Sequence, residues 1–352
     1  MNLLSIIGTR PQIIKCHSIN KEIKKNHKNI VHEILHTGQH FDYSMSQNLF
    51  KILNLKKPIK NLKISSLDHG AMTGKMIWKI ENFLKKKKYD CILLYGDTNS
   101  TLAAAIACKK LNIKIAHIEA GIRSYNMNMP EEINRVLTDR VSDFLFCPTK
   151  SSVINLKKEG ITNRVYFTGD VMLDTYLDWK KHSNTKLEKK HIFFTLHRPY
   201  NTDNKIRLKK ILKIVDSISK KNKTISLLHP RTKKNIKNFS LLNRYNNITF
   251  SKSTDYYKTL ELIANAQCVI TDSGGIQKEA YFMKKPCLTI RSETEWPETI
   301  KFGYNKLIFN KLDEINEIIK FNYFKNKNTY QKSIFGNGKS SSKIINILKR
   351  YL

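Results

Sequence analysis

The chain has 352 residues, too many for one ordinary hydrophobic core, so two domains are expected. Its 63 Lys and Arg against 29 Asp and Glu give a formal charge of +34, which first suggests nucleic acid. The excess is mostly lysine spread along the chain, without aromatic residues interleaved with arginine, so no nucleic-acid partner is expected and a field that attracts an anionic substrate is the better inference.

Residues 3–7 read as a buried strand, and Pro11 starts a helix. Residues 31–35 form a second strand. Met72, Met76, Ile80 and Phe83 fall at helical spacing and predict a helix over 69–86 with one apolar face. A strand over 91–95, a helix over 100–111 and a strand over 113–118 follow. Pro130 then opens a helix over 131–142, and residues 144–147 form another strand. The polar stretch 180–190 reads as a linker. Beyond it the alternation restarts, with strands over 192–196, 225–228, 248–250 and 268–271. Helices over 206–219 and 257–264, and a basic helix after the second of those strands, lie between them. Residues 312–319 form a late helix, 325–328 a loop rich in lysine and asparagine, and 341–352 a terminal helix. Alternation of this kind gives parallel sheets covered on both faces, hence an α/β protein of two doubly wound domains. The ligand is expected in the cleft between them, at the carboxyl ends of the strands.

Cys16, Cys91, Cys108, Cys147, Cys268 and Cys287 show no metal-ligand spacing, and several sit in apolar runs as buried free thiols do. A reducing cytoplasm and no metal site are expected. The first apolar run is stopped by Thr9-Arg10-Pro11, and no segment approaches the roughly 18 apolar residues of a membrane span. No membrane partner is expected.

Polar clusters follow the strands. The sequence Asp272-Ser273-Gly274-Gly275-Ile276-Gln277-Lys278-Glu279 leaves an apolar run and enters a helix. Backbone N–H groups and a helix N-terminus there suit a phosphate or pyrophosphate, and Glu279, about one turn in, can accept hydrogen bonds from ribose hydroxyls. The same sequence would also serve as a turn that needs glycine for geometry alone. Gly8-Thr9-Arg10-Pro11, Gly96-Asp97-Thr98-Asn99-Ser100-Thr101, His117-Ile118-Glu119-Ala120-Gly121, Thr195-Leu196-His197-Arg198 and His229-Pro230-Arg231 end other strands. Singly, Asp97 and Thr101 serve equally as helix caps, and His229 as a structural histidine. Together they place three acids, Asp97, Glu119 and Glu131, opposite Arg10, His197 and the Ser273–Gly275 amides. Neighbouring carboxylates raise one another's pKa and permit proton transfer near neutral pH. Acids facing an anion cradle suit chemistry on a sugar that leaves a nucleoside diphosphate.

Those clusters, with His36-Thr37-Gly38-Gln39-His40, Ile122-Arg123-Ser124, Pro130-Glu131-Glu132-Ile133-Asn134-Arg135 and Thr294-Glu295-Trp296-Pro297-Glu298, occur in an order that resembles the bacterial non-hydrolysing UDP-N-acetylglucosamine 2-epimerases over residues 3 to about 305. The resemblance implies a glycosyltransferase-B-like fold of two Rossmann-like halves: residues 1–180 with the acids, 181–335 binding UDP, and 336–352 a helix returning to the first half. It implies inversion at C2 through UDP elimination to a 2-acetamidoglucal and re-addition, with no cofactor. By the same match Asp97, Glu119, Glu131 and His197 are catalytic candidates. Arg10, Lys15, Arg135, His229, Ser273, Gly274, Gly275, Glu279, Arg291 and Glu295 are substrate-binding candidates. A homodimer in the cytoplasm is expected.

Three departures narrow the resemblance. Phe41-Asp42-Tyr43-Ser44-Met45 differs from the continuation found in members activated by UDP-N-acetylglucosamine. Gln12 stands where many members have Glu, and Trp296 where many have Arg. Those two resemble a branch acting on UDP-2,3-diacetamido-2,3-dideoxyglucuronic acid. A hydrolysing relative is the alternative in reaction type, disfavoured by Pro11 and Lys15. A glycosyltransferase on the same fold is disfavoured by the three acids.

Overall fold

A computed structural model describes residues 1–39, 43–183, 191–241, 244–252, 254–320 and 330–352. His40, Phe41 and Asp42, residues 184–190 of the expected linker and the loop at 325–328 lie outside the described residues. The chain divides into two compact units, Met1–Lys181 with Lys332–Leu352, and His182–Gln331.

The first unit begins with β1 (Asn2–Ile7), α1 (Arg10–Asn26), β2 (Val31–His36), α2 (Tyr43–Ile52), β3 (Lys60–Asn61) and α3 (His69–Leu84). It continues through β4 (Cys91–Tyr95), α4 (Asn99–Lys110), β5 (Ile115–Ile118), α5 (Pro130–Val141), β6 (Phe144–Cys147), α6 (Lys150–Lys158), β7 (Val165–Phe167) and α7 (Val171–His182). The strands form one parallel sheet in the order β3-β2-β1-β4-β5-β6-β7. Every residue of β4, β5 and β6 is buried, as a parallel sheet covered on both faces requires. Ala103, Ala104, Ala105 and Ala107 let α4 approach Leu4, Ile6, Ile92 and Leu94 closely, with Met76 and Ile80 of α3 in the same core. The expected linker start is corrected, because Lys180 to His182 end α7. Three more lysines or histidines at a helix end leave no local break for the backbone.

The second unit contains β8 (His191–Thr195), α8 (Pro199–Thr202), α9 (Lys205–Ser219), β9 (Thr224–Leu228), α10 (Pro230–Asn238), β10 (Ile248–Lys252), α11 (Tyr256–Ala264) and β11 (Ala266–Thr271). It then contains α12 (Gly274–Phe282), β12 (Cys287–Thr289), α13 (Pro297–Lys301), β13 (Asn305–Leu307), a 3-10 turn at Leu312–Glu314 and α14 (Ile315–Lys320). Its parallel sheet runs β10-β9-β8-β11-β12-β13, the same winding as the first. The final helix, α15 (Ser340–Tyr351), belongs to the first unit and packs on α1. Asp174 of α7 caps it, accepting the Ser340 and Ser341 N–H groups at 3.1 and 2.7 Å. All six cysteines are buried free thiols, and burial pushes that of Cys16 up to about 11. Among the described residues no helix is long and apolar enough to cross a membrane.

Candidate active site

Each sheet reverses its strand order once, between β1 and β4 and between β8 and β11. A doubly wound sheet binds ligands outside the carboxyl ends of its strands at that reversal. In the first unit β1 delivers Gly8, Thr9 and Arg10 there, β4 delivers Gly96 and Asp97, and β5 delivers Glu119. Gln12, 1% exposed, binds the two turns together. Its carbonyl oxygen accepts the Gly8 and Thr9 N–H groups at 2.8 and 3.2 Å. Its amide donates to Tyr95 O and Thr101 Oγ1, both at 2.9 Å.

The acids are held by cations. Arg135 on α5 donates to Asp97 at 2.6 Å and to buried Glu132 at 2.7 Å. Glu132 in turn accepts the Ser124 and Tyr125 N–H groups at 3.0 and 2.8 Å, which fastens the loop before α5. Glu131, beside it in the first turn of α5, is half-buried. Glu119 pairs with Lys15 of α1, and both are buried. Glu119 has φ +77°, a left-handed conformation that costs a non-glycine residue of order 1–3 kcal/mol. Gly96, at φ +63°, makes room for the pair. A Cβ there would lie 2.9 Å from Lys15 Nζ and 3.0 Å from Glu119 Oε2. The mutual repulsion expected of the acids is therefore opposed, since Asp97 and Glu119 each carry a positive partner.

In the second unit a buried carboxylate does the fastening. Asp272, at the end of β11, accepts the His197 and Arg198 N–H groups at 2.9 and 3.0 Å and the Asn201 amide at 3.0 Å. Its Oδ1 is also 3.2 Å from His197 Nδ1. This places the His197-Arg198 turn beside the start of α12. The His229 ring lies 5.5 Å from that of His197, and His229 Nδ1 accepts the Arg231 N–H, which leaves its proton on Nε2. Ser273 caps α12 through Ile276 N. A Cβ on Gly274 would collide with the Glu295 carboxylate, so glycine is needed there for close approach. Glu295 is held by Arg291, 1% exposed, at 2.7 Å. Glu279, on the second turn of α12, is buried, and Lys278 Nζ lies 4.2 Å from the Trp296 ring centre.

The family model described as UDP-N-acetylglucosamine 2-epimerase matches residues 21–349. A UDP-N-acetylglucosamine 2-epimerase homolog of Methanococcus maripaludis is 44% identical over 363 residues, 99% of each chain. The chain belongs to the UDP-N-acetylglucosamine 2-epimerase family. A UDP-2,3-diacetamido-2,3-dideoxy-D-glucuronate 2-epimerase of Pseudomonas aeruginosa is 41% identical over 360 residues, 99% of this chain and all of that one. Among solved structures, the Methanocaldococcus jannaschii UDP-GlcNAc 2-epimerase in complex with UDP-GlcNAc and UDP superposes with a TM-score of 0.92 at 40% identity, covering 99% of this chain and 100% of that one. This epimerase-family chain thus has the α/β, glycosyltransferase-B-like class of fold, with two doubly wound parallel sheets.

The residues singled out from sequence divide between the two units. Arg10, Lys15, Asp97, Glu119, Glu131 and Arg135 fall in the first, and His197, His229, Ser273, Gly274, Gly275, Glu279, Arg291 and Glu295 in the second. Nothing in the sequence signals that Gln12 and Asp272 fasten the turns of the two sites, and Asp139 was not singled out at all. Asp139 carries no signal either, standing between Thr138 and Arg140 in the last turn of a largely polar helix.

Proposed function

We propose that this chain is a non-hydrolysing epimerase that inverts C2 of a UDP-2-acetamido sugar, converting UDP-N-acetylglucosamine to its manno epimer. The observation that carries the reading is the pair of strand-reversal sites. One offers acids held by Arg135 and Lys15, and the other an anion cradle formed by His197 and the start of α12.

The C2 proton has no carbonyl beside it, so the C1–O bond to UDP must break early. Stabilising the departing diphosphate is then the main demand, met by Arg10, His197 and the Ser273, Gly274 and Gly275 amides. A carboxylate among Asp97, Glu119 and Glu131 takes the C2 proton as UDP leaves, giving a 2-acetamidoglucal. A second acid returns a proton to the opposite face of C2, and UDP re-adds at C1. Glu279 receives the ribose hydroxyls. Lys15, Arg135, His229, Arg291 and Glu295 hold the reacting groups in place. Substrate and product have the same oxidation state, so the chemistry itself calls for no redox cofactor.

A second reading keeps the chemistry and changes the sugar. Trp296, capped by Lys278, and Gln12 favour UDP-2,3-diacetamido-2,3-dideoxyglucuronic acid. In either case we propose a cytoplasmic homodimer, two-fold symmetry being the commonest arrangement of soluble oligomers.

Proton NMR in D2O with each sugar nucleotide tests the proposal. Deuterium at C2 of the UDP-linked manno epimer is expected, and the faster sugar names the substrate. Free mannosamine sugar plus UDP would replace the reading with hydrolysis. No turnover of either sugar would overturn it.

A further inference from the structure

His117, on β5, is fully buried and has two polar neighbours. Its Nε2 lies 2.8 Å from the Gly96 carbonyl oxygen and its Nδ1 2.6 Å from Asp139 Oδ1. A carbonyl oxygen has no proton to give, so Nε2 donates. The other oxygen of Asp139 accepts the Gly121 N–H at 3.0 Å and Arg123 at 2.7 Å, the pattern of an ionised carboxylate. The Arg123 guanidinium, charged whatever the state of His117, favours the ionised form of Asp139. Oδ1 therefore has no proton either, and Nδ1 also donates. A neutral imidazole carries one N–H, and this ring must supply two.

We infer that His117 is a buried imidazolium that fixes the Gly96-Asp97 turn, and is thereby a positioning residue for the acids of the elimination site. The role, though not the charge, rests on the reading of Asp97 and Glu119 as the reacting acids. The charges around the ring balance. His117 and Arg123 are matched by Asp139 and by Glu159, which takes Arg123 Nε and Nη2 at 2.6 and 2.7 Å. Cys147, the other titratable group facing Asp139 and Arg123, is pushed far up by burial and stays a thiol. Beyond Gly96 the Lys15–Glu119 pair compensates itself.

The consequence falls on one peptide. Gly96 N donates to Ile118 O at 3.0 Å, so with His117 on its carbonyl the residue is tied to β5 at both ends. Asp97 O is held separately by the Asn134 amide at 2.9 Å. A neutral His117 would leave either Gly96 O or Asp139 without its proton. The turn that sets Asp97 would then lose an anchor.

The test is nitrogen NMR of the full chain with labelled histidine. Both ring nitrogens of His117 are expected to carry a proton in the folded protein at neutral pH, as its two acceptors require. A neutral tautomer at neutral pH would overturn the charge assignment, whatever reaction the protein catalyses. His117→Asn and His117→Gln, checked for cooperative thermal unfolding, test the positioning role. Turnover should fall on the order of 10²-fold with KM and UDP affinity nearly unchanged, the signature of a misplaced acid. Undiminished turnover in a folded variant would overturn that role. If neither variant folds, the charge reading on the unaltered protein still decides the inference.

Discussion

The side-chain amide of Gln12 donates to the carbonyl oxygen of Tyr95 at 2.9 Å, so one residue of α1 reaches the end of β4 across the strand reversal. Gln12→Glu keeps an acceptor for the Gly8 and Thr9 N–H groups but removes the donor to Tyr95 O and Thr101 Oγ1. Tyr95 O keeps the bond from Thr101 Oγ1 at 2.9 Å, so losing the amide donor should cost about 1 kcal/mol. A lower urea midpoint at unchanged slope is expected, and an unchanged midpoint would show the bond to be dispensable.

Asp97→Asn keeps the shape of the side chain and removes its charge. Arg135 retains Glu132, so the site should not collapse. Turnover is expected to fall by about 10² to 10⁴, the scale of a lost acid or base, while UDP affinity measured by calorimetry stays within error. Undiminished epimerisation would remove Asp97 from the mechanism.

Asp272→Ala strips the acceptor from two backbone N–H groups and one face of Asn201. The expected loss of stability is about 3 kcal/mol, concentrated in the second unit. UDP binding should weaken at the same time, because the His197 turn loses its anchor. Calorimetric unfolding with and without UDP would read both effects.

His32 predicts acid sensitivity. Its Nδ1 faces Asn20 Oδ1 at 3.3 Å, its Nε2 faces Ser5 Oγ at 2.7 Å, and that hydroxyl meets Tyr95 OH at 2.7 Å. Burial lowers its pKa from 6.5 to about 4. The folded value lies below the unfolded one, so the contribution is full above pH 6.5 and is lost as pH falls through about 4. It amounts to about 3 kcal/mol. In His32→Gln the slope of unfolding free energy between those pH values should flatten, as denaturant titrations at stepped pH would show.

The strands β4 and β6 were legible because their five and four residues are apolar throughout. Strands β7, β12 and β13 have three residues each, too few for any period to show. The helix Lys150–Lys158 reads poorly because only Ser152 and Leu156 are buried. The site residues stood out as polar clusters after apolar runs. Their pairings did not, because Lys15 meets Glu119, and Arg135 meets Asp97, only after the sheet has brought distant segments together. The charge of His117 depends on both neighbours of its ring, and one of them, Asp139, comes from the helix that follows β5.

Residues from two distant stretches of the chain build the first unit, and the second is an insertion between them. Translation runs in one direction, so residues 182–331 leave the ribosome before the helix that packs on α1 exists. The nascent first sheet must therefore wait with α1 and Asp174 uncovered while the inserted unit is already complete and able to fold. Chains truncated just before residue 332 and released from the ribosome should accordingly carry a protease-resistant second unit beside a first unit that is still cleavable.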